Sequence, residues 1–429
     1  MVMENRYDKY KDSGIAWIGE IPEHWELRKG KNLFKLRNSK GNNNAILLAA
    51  TQKYGMIPQS QVEGVVQVKQ NTDLNTFKTV HKNDYVISLR SFQGGFEMSE
   101  YEGVCSPAYQ VFYSTKPCCN YFFKYMFKSY GFVSQINAFT LGIREGKNIQ
   151  YEDFSLMKLP LPTIQEQQSI ATYLDQKCSE IDELITLQEE MITKLQSYKQ
   201  SVITEAVTKG LDKNVPLKDS GIEWIGEIPE HWEVKRLKNV CSTNNASLSD
   251  KTSKDFEFDY VDIGSVSFEL GIHKTEKYTF QNAPSRARKI ARLGDIIVST
   301  VRTYLRAIDI INSEEKEKYI YSTGFAILSP SKNILSEFMI YICRSEYFTN
   351  QVSIHSTGIN YPSINDTALK MINIVMPPLP EQQSIATYLD QKCSEIDALI
   401  SIKQQKIEKL KDYKKSLIFE CVTGKRKVS

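Results

Sequence analysis

Two short runs place arginine among small and polar residues directly after a β-rich segment. Arg90-Ser91-Phe92-Gln93-Gly94-Gly95 follows DYVISL at 84–89, and Val301-Arg302-Thr303-Tyr304-Leu305-Arg306 follows DIIVST at 295–300. An arginine fork can donate two hydrogen bonds to guanine O6 and N7, a glutamine amide can pair with adenine, and glycine admits close backbone approach. Arg90, Ser91, Gln93, Arg302, Thr303, Tyr304 and Arg306 are therefore candidates for reading base edges, although the same residues also suit ordinary exposed loops. Further along, at corresponding places near the ends of the divergent stretches, lie GIREGKN at 142–148 and STGINYPS at 356–363. The first of these lacks the GxxxxGK[ST] spacing of a phosphate-binding loop. SRARKIAR at 285–292 packs Arg286, Arg288, Lys289 and Arg292 into eight residues. That density suits phosphate contacts that fix register without reading bases, or a solvated basic face.

The elements that must position these residues are set by an internal repeat. DSGIAWIGEIPEHWE at 12–26 recurs 207 positions later as DSGIEWIGEIPEHWE, with only Ala16 and Glu223 differing. EQQSIATYLDQKCSEID at 166–182 recurs unchanged at 381–397, 215 positions later. The stretches between these blocks correspond only in outline. A near-identical frame around divergent inserts implies one task performed twice by the frame and a separate task for each insert. The chain divides into an N-terminal frame segment 1–33, a first insert 34–160, a central frame with a long helix and linker 161–240, a second insert 241–375 and a C-terminal frame helix 376–429.

From Leu174 onward, apolar residues fall at helical 3-4 spacing, interrupted by Gln188 and Lys199: Leu174, Cys178, Ile181, Ile185, Ile192, Leu195, Val202 and Ala206. Leu389, Cys393, Ile396, Ile400, Ile407, Leu410, Leu417 and Cys421 repeat the pattern. A stripe this narrow is a coiled-coil seam. Thr163 and Glu166 form a capping box, Pro380 suits a first helical turn, and Gly210 and Gly424 mark the ends. Each helix is expected to run for ~40 residues, or ~60 Å, and two like seams are most simply buried against each other. Antiparallel pairing would set the inserts at opposite ends. The inserts mix strand-like runs with helical stretches near 121–130 and 337–346. The expected fold class is α+β, with two mixed domains joined by two long helices in an antiparallel coiled coil with a pseudo-twofold repeat. The tryptophans of the first block (Trp17, Trp25, Trp224, Trp232) are expected to pack where insert meets frame.

Composition narrows the function classes. The hydrophobic share of 41% and charged share of 24% are those of a globular protein, and the net charge of +3 is too small to identify an anionic partner by itself. The polar N-terminal segment and the lack of an apolar run of ~20 residues argue against secretion and membrane insertion, so a cytoplasmic location is expected. Eight cysteines without a CxxC pair, Cys118 and Cys119 adjacent, read as reduced and mostly buried thiols, with no metal site.

The SGI-x-WIGEIPEHWE motif, the Pro-Leu-Pro run (159–162 and 377–380) leading into EQQSIATYLD, and the long helix after it resemble the specificity subunits of type I restriction–modification systems. The resemblance spans essentially the whole chain. It implies that the inserts are target recognition domains, each reading half of a split site in double-stranded DNA, that the Gly-containing segments 142–148 and 356–363 shortly before the proline runs face the DNA through Arg144, Lys147, Asn148, Asn360 and Tyr361, and that the helices act as a spacer and help dock two methyltransferase subunits. It also implies that catalysis belongs to partners: S-adenosylmethionine on the methyltransferase, which modifies adenine, and ATP with Mg on a restriction and translocation subunit. No cofactor is expected in this chain. A self-contained methyltransferase would need a glycine-rich cofactor turn and a D/N-P-P-Y/F motif. Met376-Pro377-Pro378-Leu379 has the wrong flanks, there is no Walker A loop, and Glu314-Glu315-Lys316 reads as a charge run in a loop, so no catalytic residue is nominated. The competing class is a coiled-coil scaffold that binds protein alone.

Overall fold

The computed structural model describes residues 6–41, 43–52, 54–62, 72–88, 95–138 and 149–428. The chain forms two compact units, Met1–Gln188 with Gln405–Ser429, and Glu189–Gln404.

Both units follow one plan. In the first, strand Glu26–Lys29 opens the insert and pairs antiparallel with Lys158–Leu161, which closes it. In the second, Glu233–Arg236 pairs in the same way with Asn373–Met376. Each insert is thereby pinched off at its base, where a strand of the preceding frame pairs with the strand that ends the insert. Inside the first insert is an antiparallel sheet in the order Phe34–Arg37, Gln110–Ser114, Tyr85–Ile87, Phe96–Met98. The second repeats it as Cys241–Thr243, Phe325–Pro330, Ile296–Ser299, Ile308–Ile310. The strand-like runs DYVISL and DIIVST are the inner strands Tyr85–Ile87 and Ile296–Ser299, every residue of which is buried. Such strands read as continuous apolar runs because neither face meets water.

Helices Asn120–Lys128 and Tyr130–Ala138 of the first unit correspond to Ser336–Arg344 and Glu346–Ile354 of the second. The packing beneath them differs. The first core is aromatic, with Phe34, Tyr85, Phe96, Phe112, Phe127 and Phe154 all buried together, whereas the second places Ile296, Val298, Ile308 and Leu328 in comparable strands. The second insert adds a five-stranded sheet that includes Ala287–Ile290, Ile320–Ser322 and Glu257–Val261. In the first insert, two-stranded sheets Leu48–Thr51/Gly55–Pro58 and Lys78–Val80/Gly103–Cys105 lie beside the main one.

The long helices are Ile164–Lys209 and Leu379–Val422, 46 and 44 residues, somewhat longer than the spacing of apolar residues suggests. Thr163 and Glu166 exchange the capping-box contacts, with Glu166 N donating to Thr163 Oγ1 at 3.3 Å and Thr163 N to Glu166 Oε2 at 3.1 Å. Gly210 and Gly424 end the helices at φ 74° and 73°, a left-handed conformation in which a side chain is strained. In the first unit Ile170, Leu174 and Ile181 share a core with Leu417, Cys421 and Val422. In the second, Val202, Ile203, Ala206 and Val207 pack with Ile385, Ala386, Leu389 and Cys393. Within each unit the start of one helix meets the end of the other, so both seams are antiparallel. Reciprocal ion pairs flank them: Lys414 with Asp182 at 2.6 Å, and Lys199 with Asp397 at 2.6 Å. Burial pushes the seam thiols Cys178 and Cys393 up to about 11.

The charge run expected in a loop is instead a one-turn helix, Glu314–Glu317. Ser313 caps it by accepting from Lys316 N, and acidic residues fill its first turn, where the exposed backbone N–H groups favour negative charge. No helix among the described residues is long and apolar enough to cross a membrane.

Candidate nucleic-acid interface

In the second unit the two candidate runs form one surface although ~50 residues separate them. Ile364 N donates to Thr300 O at 2.9 Å, and Val301 bridges Ser363. Thr303 is buried, and its hydroxyl lies 3.0 Å from that of Ser356. Thr303 therefore joins the loops rather than facing solvent. Around it, Arg302, Tyr304, Asn360 and Tyr361 are exposed and Arg306 is half-buried. Arg302 and Arg306 flank the turn Thr303–Leu305, both in the left-handed region at φ 51° and 47°. Strain of this kind costs about 1–3 kcal/mol per residue and persists where surrounding contacts impose it. The contacts are aromatic here. The Arg302 guanidinium lies 5.1 Å from the centre of the Tyr361 ring and that of Arg306 5.8 Å from Phe268. Each arginine is held on a ring face with its fork left able to take a further partner.

The 285–292 cluster does not act as one basic face. In strand Ala287–Ile290, which bulges between Ala287 and Lys289, the Lys289 side chain turns inward and donates to Asn244 Oδ1 and Phe325 O, each at 2.6 Å. Burial lowers its pKa. Arg288 lies over the Phe280 ring at 4.7 Å and within 3.9 Å of Asp250. Arg286 and Arg292 are exposed. In the first unit Arg90, Ser91, Gln93, Arg144, Lys147 and Asn148 lie outside the described residues.

The structure adds anchors that spacing alone did not single out. Edge strand Phe96–Met98, which follows the Arg90 run, carries Glu97, buried and paired with Lys128 at the end of its helix. Ile308–Ile310, which follows the Arg302 run, carries Asp309 at the matching register, within 2.9 Å of Lys316 and 3.5 Å of Arg344. An acid–base pair thus pins the outgoing strand of the loop-bearing hairpin in both units. Burial raises the Glu97 carboxyl to about 7 against the opposing pull of Lys128 and Lys124.

A second anchor explains the identity of the frame blocks. In the first unit Glu166 lies 2.8 Å from His24 Nε2 and accepts from Trp25 Nε1 at 3.1 Å. In the second unit Glu381 meets His231 at 2.7 Å and Trp232 at 3.0 Å. Burial works to raise the Glu166 carboxyl, but the hydrogen bonds from His24, Trp25 and Thr163 hold it below the usual range. Trp25 and Trp232 are fully buried, as expected of packing residues, whereas Trp224 is 42% exposed. Gln167 accepts from Cys119 N and Gln382 from Leu335 N, both at 2.9 Å, which ties each long helix to the insert beside it. Tyr125 to Asp175 and Tyr341 to Asp390, both 2.6 Å, do the same. The glutamates and glutamines stand out as repeated residues, but the partners of Glu166 and Glu381 lie 141 to 150 positions away and those of Gln167 and Gln382 lie 48 and 47 away.

Each unit also exposes two aliphatic side chains at matching positions on a long helix: Leu184 and Leu187 in the first, Leu399 and Ile402 in the second. Among the described residues, no group of three or more His, Cys, Asp or Glu is disposed to hold a metal ion.

The model of the type I restriction modification DNA specificity domain matches residues 22–196 and again 229–412. The MjaVIII type I restriction enzyme specificity subunit of Methanocaldococcus jannaschii is 29% identical over 296 residues, 66% of this chain and 66% of that protein. The putative MjaX specificity subunit of the same organism is 26% identical across the full length of both chains. In fold, the chain is similar to one solved in a study of complex assembly and conformational transition of the type I R-M system. That likeness has a TM-score of 0.70 at 16% identity, covering 94% of this chain and 98% of that one.

Proposed function

Because the chain belongs to the type I restriction modification DNA specificity family, we propose that each mixed domain reads one half of a divided site in double-stranded DNA. The observation that carries this reading is the contrast between a frame duplicated down to its hydrogen bonds and inserts whose loop chemistry differs. In the second domain the reading surface is the joined loops 300–306 and 356–363, with Arg302 and Asn360 offering base-edge chemistry and Arg286 and Arg292 phosphate contacts. The duplicated pairs Leu184/Leu187 and Leu399/Ile402 fit two copies of one partner, a methyltransferase subunit that brings S-adenosylmethionine to adenine. A restriction subunit with ATP and Mg completes the proposed assembly, and this chain supplies the address.

The test is to replace 241–375 with the corresponding insert of a relative and to map methylated adenines in cells that also express the methyltransferase subunit. One half of the methylated sequence should change and the other persist. A change in both halves, or in neither, would refute the division of labour.

A further inference from the structure

Ile359 is 99% exposed, the most of any large apolar side chain among the described residues. A single exposed aliphatic residue is ordinary on a protein surface. The surroundings of this one are not ordinary. Thr357 and Ser363 exchange both backbone hydrogen bonds at 2.9 Å, so the loop has a fixed neck with Ile359 near its tip. Gly358 makes the tip feasible, since its φ is 103° and a Cβ there would lie 3.1 Å from the Tyr361 carbonyl oxygen. Asn360 and Tyr361 follow at once, and the Arg302 guanidinium rests on the Tyr361 ring. The first insert carries Gly142-Ile143 at 216 positions earlier, the offset that also relates helix Asn120–Lys128 to Ser336–Arg344. The next residue differs, Arg144 against Asn360. A glycine–isoleucine step is thus kept while the polar residue beside it changes.

We propose that Ile359 packs against the C5-methyl group of a thymine in the major groove and so selects one T·A pair within the half-site of the second domain. This rests on the assignment of loops 300–306 and 356–363 as its reading surface. An isoleucine has no donor or acceptor to offer a base edge. Among the four base pairs, the thymine methyl is the feature of the major groove that an aliphatic side chain complements. Arg302 and Asn360 at either side supply the polar complement, guanine-type and adenine-type contacts respectively.

The experiment uses the full chain assembled with its methyltransferase partner and duplexes carrying the mapped site, with uracil replacing each thymine of that half-site in turn. Uracil deletes one methyl group and leaves every hydrogen bond in place. The wild-type complex should lose about fourfold in affinity at one thymine, the value of one buried methyl at ~0.8 kcal/mol, and little at the others. Ile359→Ala should bind thymine and uracil duplexes alike at that position, and Ile359→Val should fall between. Wild-type indifference to every replacement, or a thymine preference retained by Ile359→Ala, overturns the inference. So does 2-aminopurine beside that position brightening with wild type but not with Ile359→Ala, which means insertion into the base stack. Scrambled duplex is the control. If the wild-type complex prefers its mapped site to scrambled DNA, those failures condemn the Ile359 contact alone. If it shows no such preference, the reading surface falls with it.

Discussion

Arg302 illustrates how one residue can be strained and yet well placed. Its left-handed backbone turns the side chain out of the strand direction, and the Tyr361 ring then fixes the guanidinium. Removing it should cost about 1–3 kcal/mol of binding and relax one position of the half-site if it reads a guanine. The double change Arg286→Ala with Arg292→Ala should instead weaken all sequences alike and reduce the salt slope by roughly one unit for each phosphate no longer neutralised. Titrations on cognate and scrambled duplexes at several salt concentrations separate the two effects. An Arg302→Ala protein with an unaltered half-site would place base reading elsewhere. Lys289 should behave unlike its cluster mates, because its ammonium is committed to Asn244 and Phe325 inside the protein. The sequence showed four cations in a row of eight. Arg286 and Arg292 lie outside the strand and face water, Lys289 turns inward within it, and the bulge between Ala287 and Lys289 that sets this arrangement could not be read from composition.

At the scale of elements, the frame holds by burial and by hydrogen bonds that cross from one sequence block to the other. Trp232 is wholly buried, and its indole N–H is satisfied by Glu381. Trp232→Ala should therefore destabilise the chain by about 3–5 kcal/mol, as cavity-forming changes of this size do. Lys199→Ala breaks an ion pair whose aspartate is 55% exposed, and should cost under about 1 kcal/mol. Urea unfolding of the two variants checks the contrast, and equal midpoints would remove the tryptophan clasp from what holds the frame. Much of this layer was visible beforehand. The 3-4 spacing, Thr163 with Glu166, and the terminal glycines located both long helices. What pairs with what was not visible, because the contacts between His24, Trp25 and Glu166 and between Gln382 and Leu335 are made by tertiary folding, and periodicity carries no information about them.

At the scale of the whole molecule, duplication predicts stoichiometry. If Leu184/Leu187 and Leu399/Ile402 each seat a methyltransferase subunit, native mass spectrometry of the wild-type assembly should find two copies per chain. Leu184→Glu with Leu187→Glu should leave one. Loss of both copies, or of none, would mean that the exposed aliphatic pairs are not independent docking points. The repeat made the two-unit plan legible, while the second insert's five-stranded sheet was not, since its short strands carry little periodicity of their own.

The two units also differ in when they can exist. Glu189–Gln404 is one unbroken stretch of chain, whereas the core of the other unit needs Leu417, Cys421 and Val422 from the far end of the sequence. On a ribosome adding about 5–20 residues per second, the domain begun first is thus the one completed last. Its apolar surfaces along Ile170, Leu174 and Ile181 must wait uncovered while the entire second unit is made. A message cut short before codon 417 would therefore yield a protein whose second reader is intact and whose first is open, the reverse of the order in which they were written.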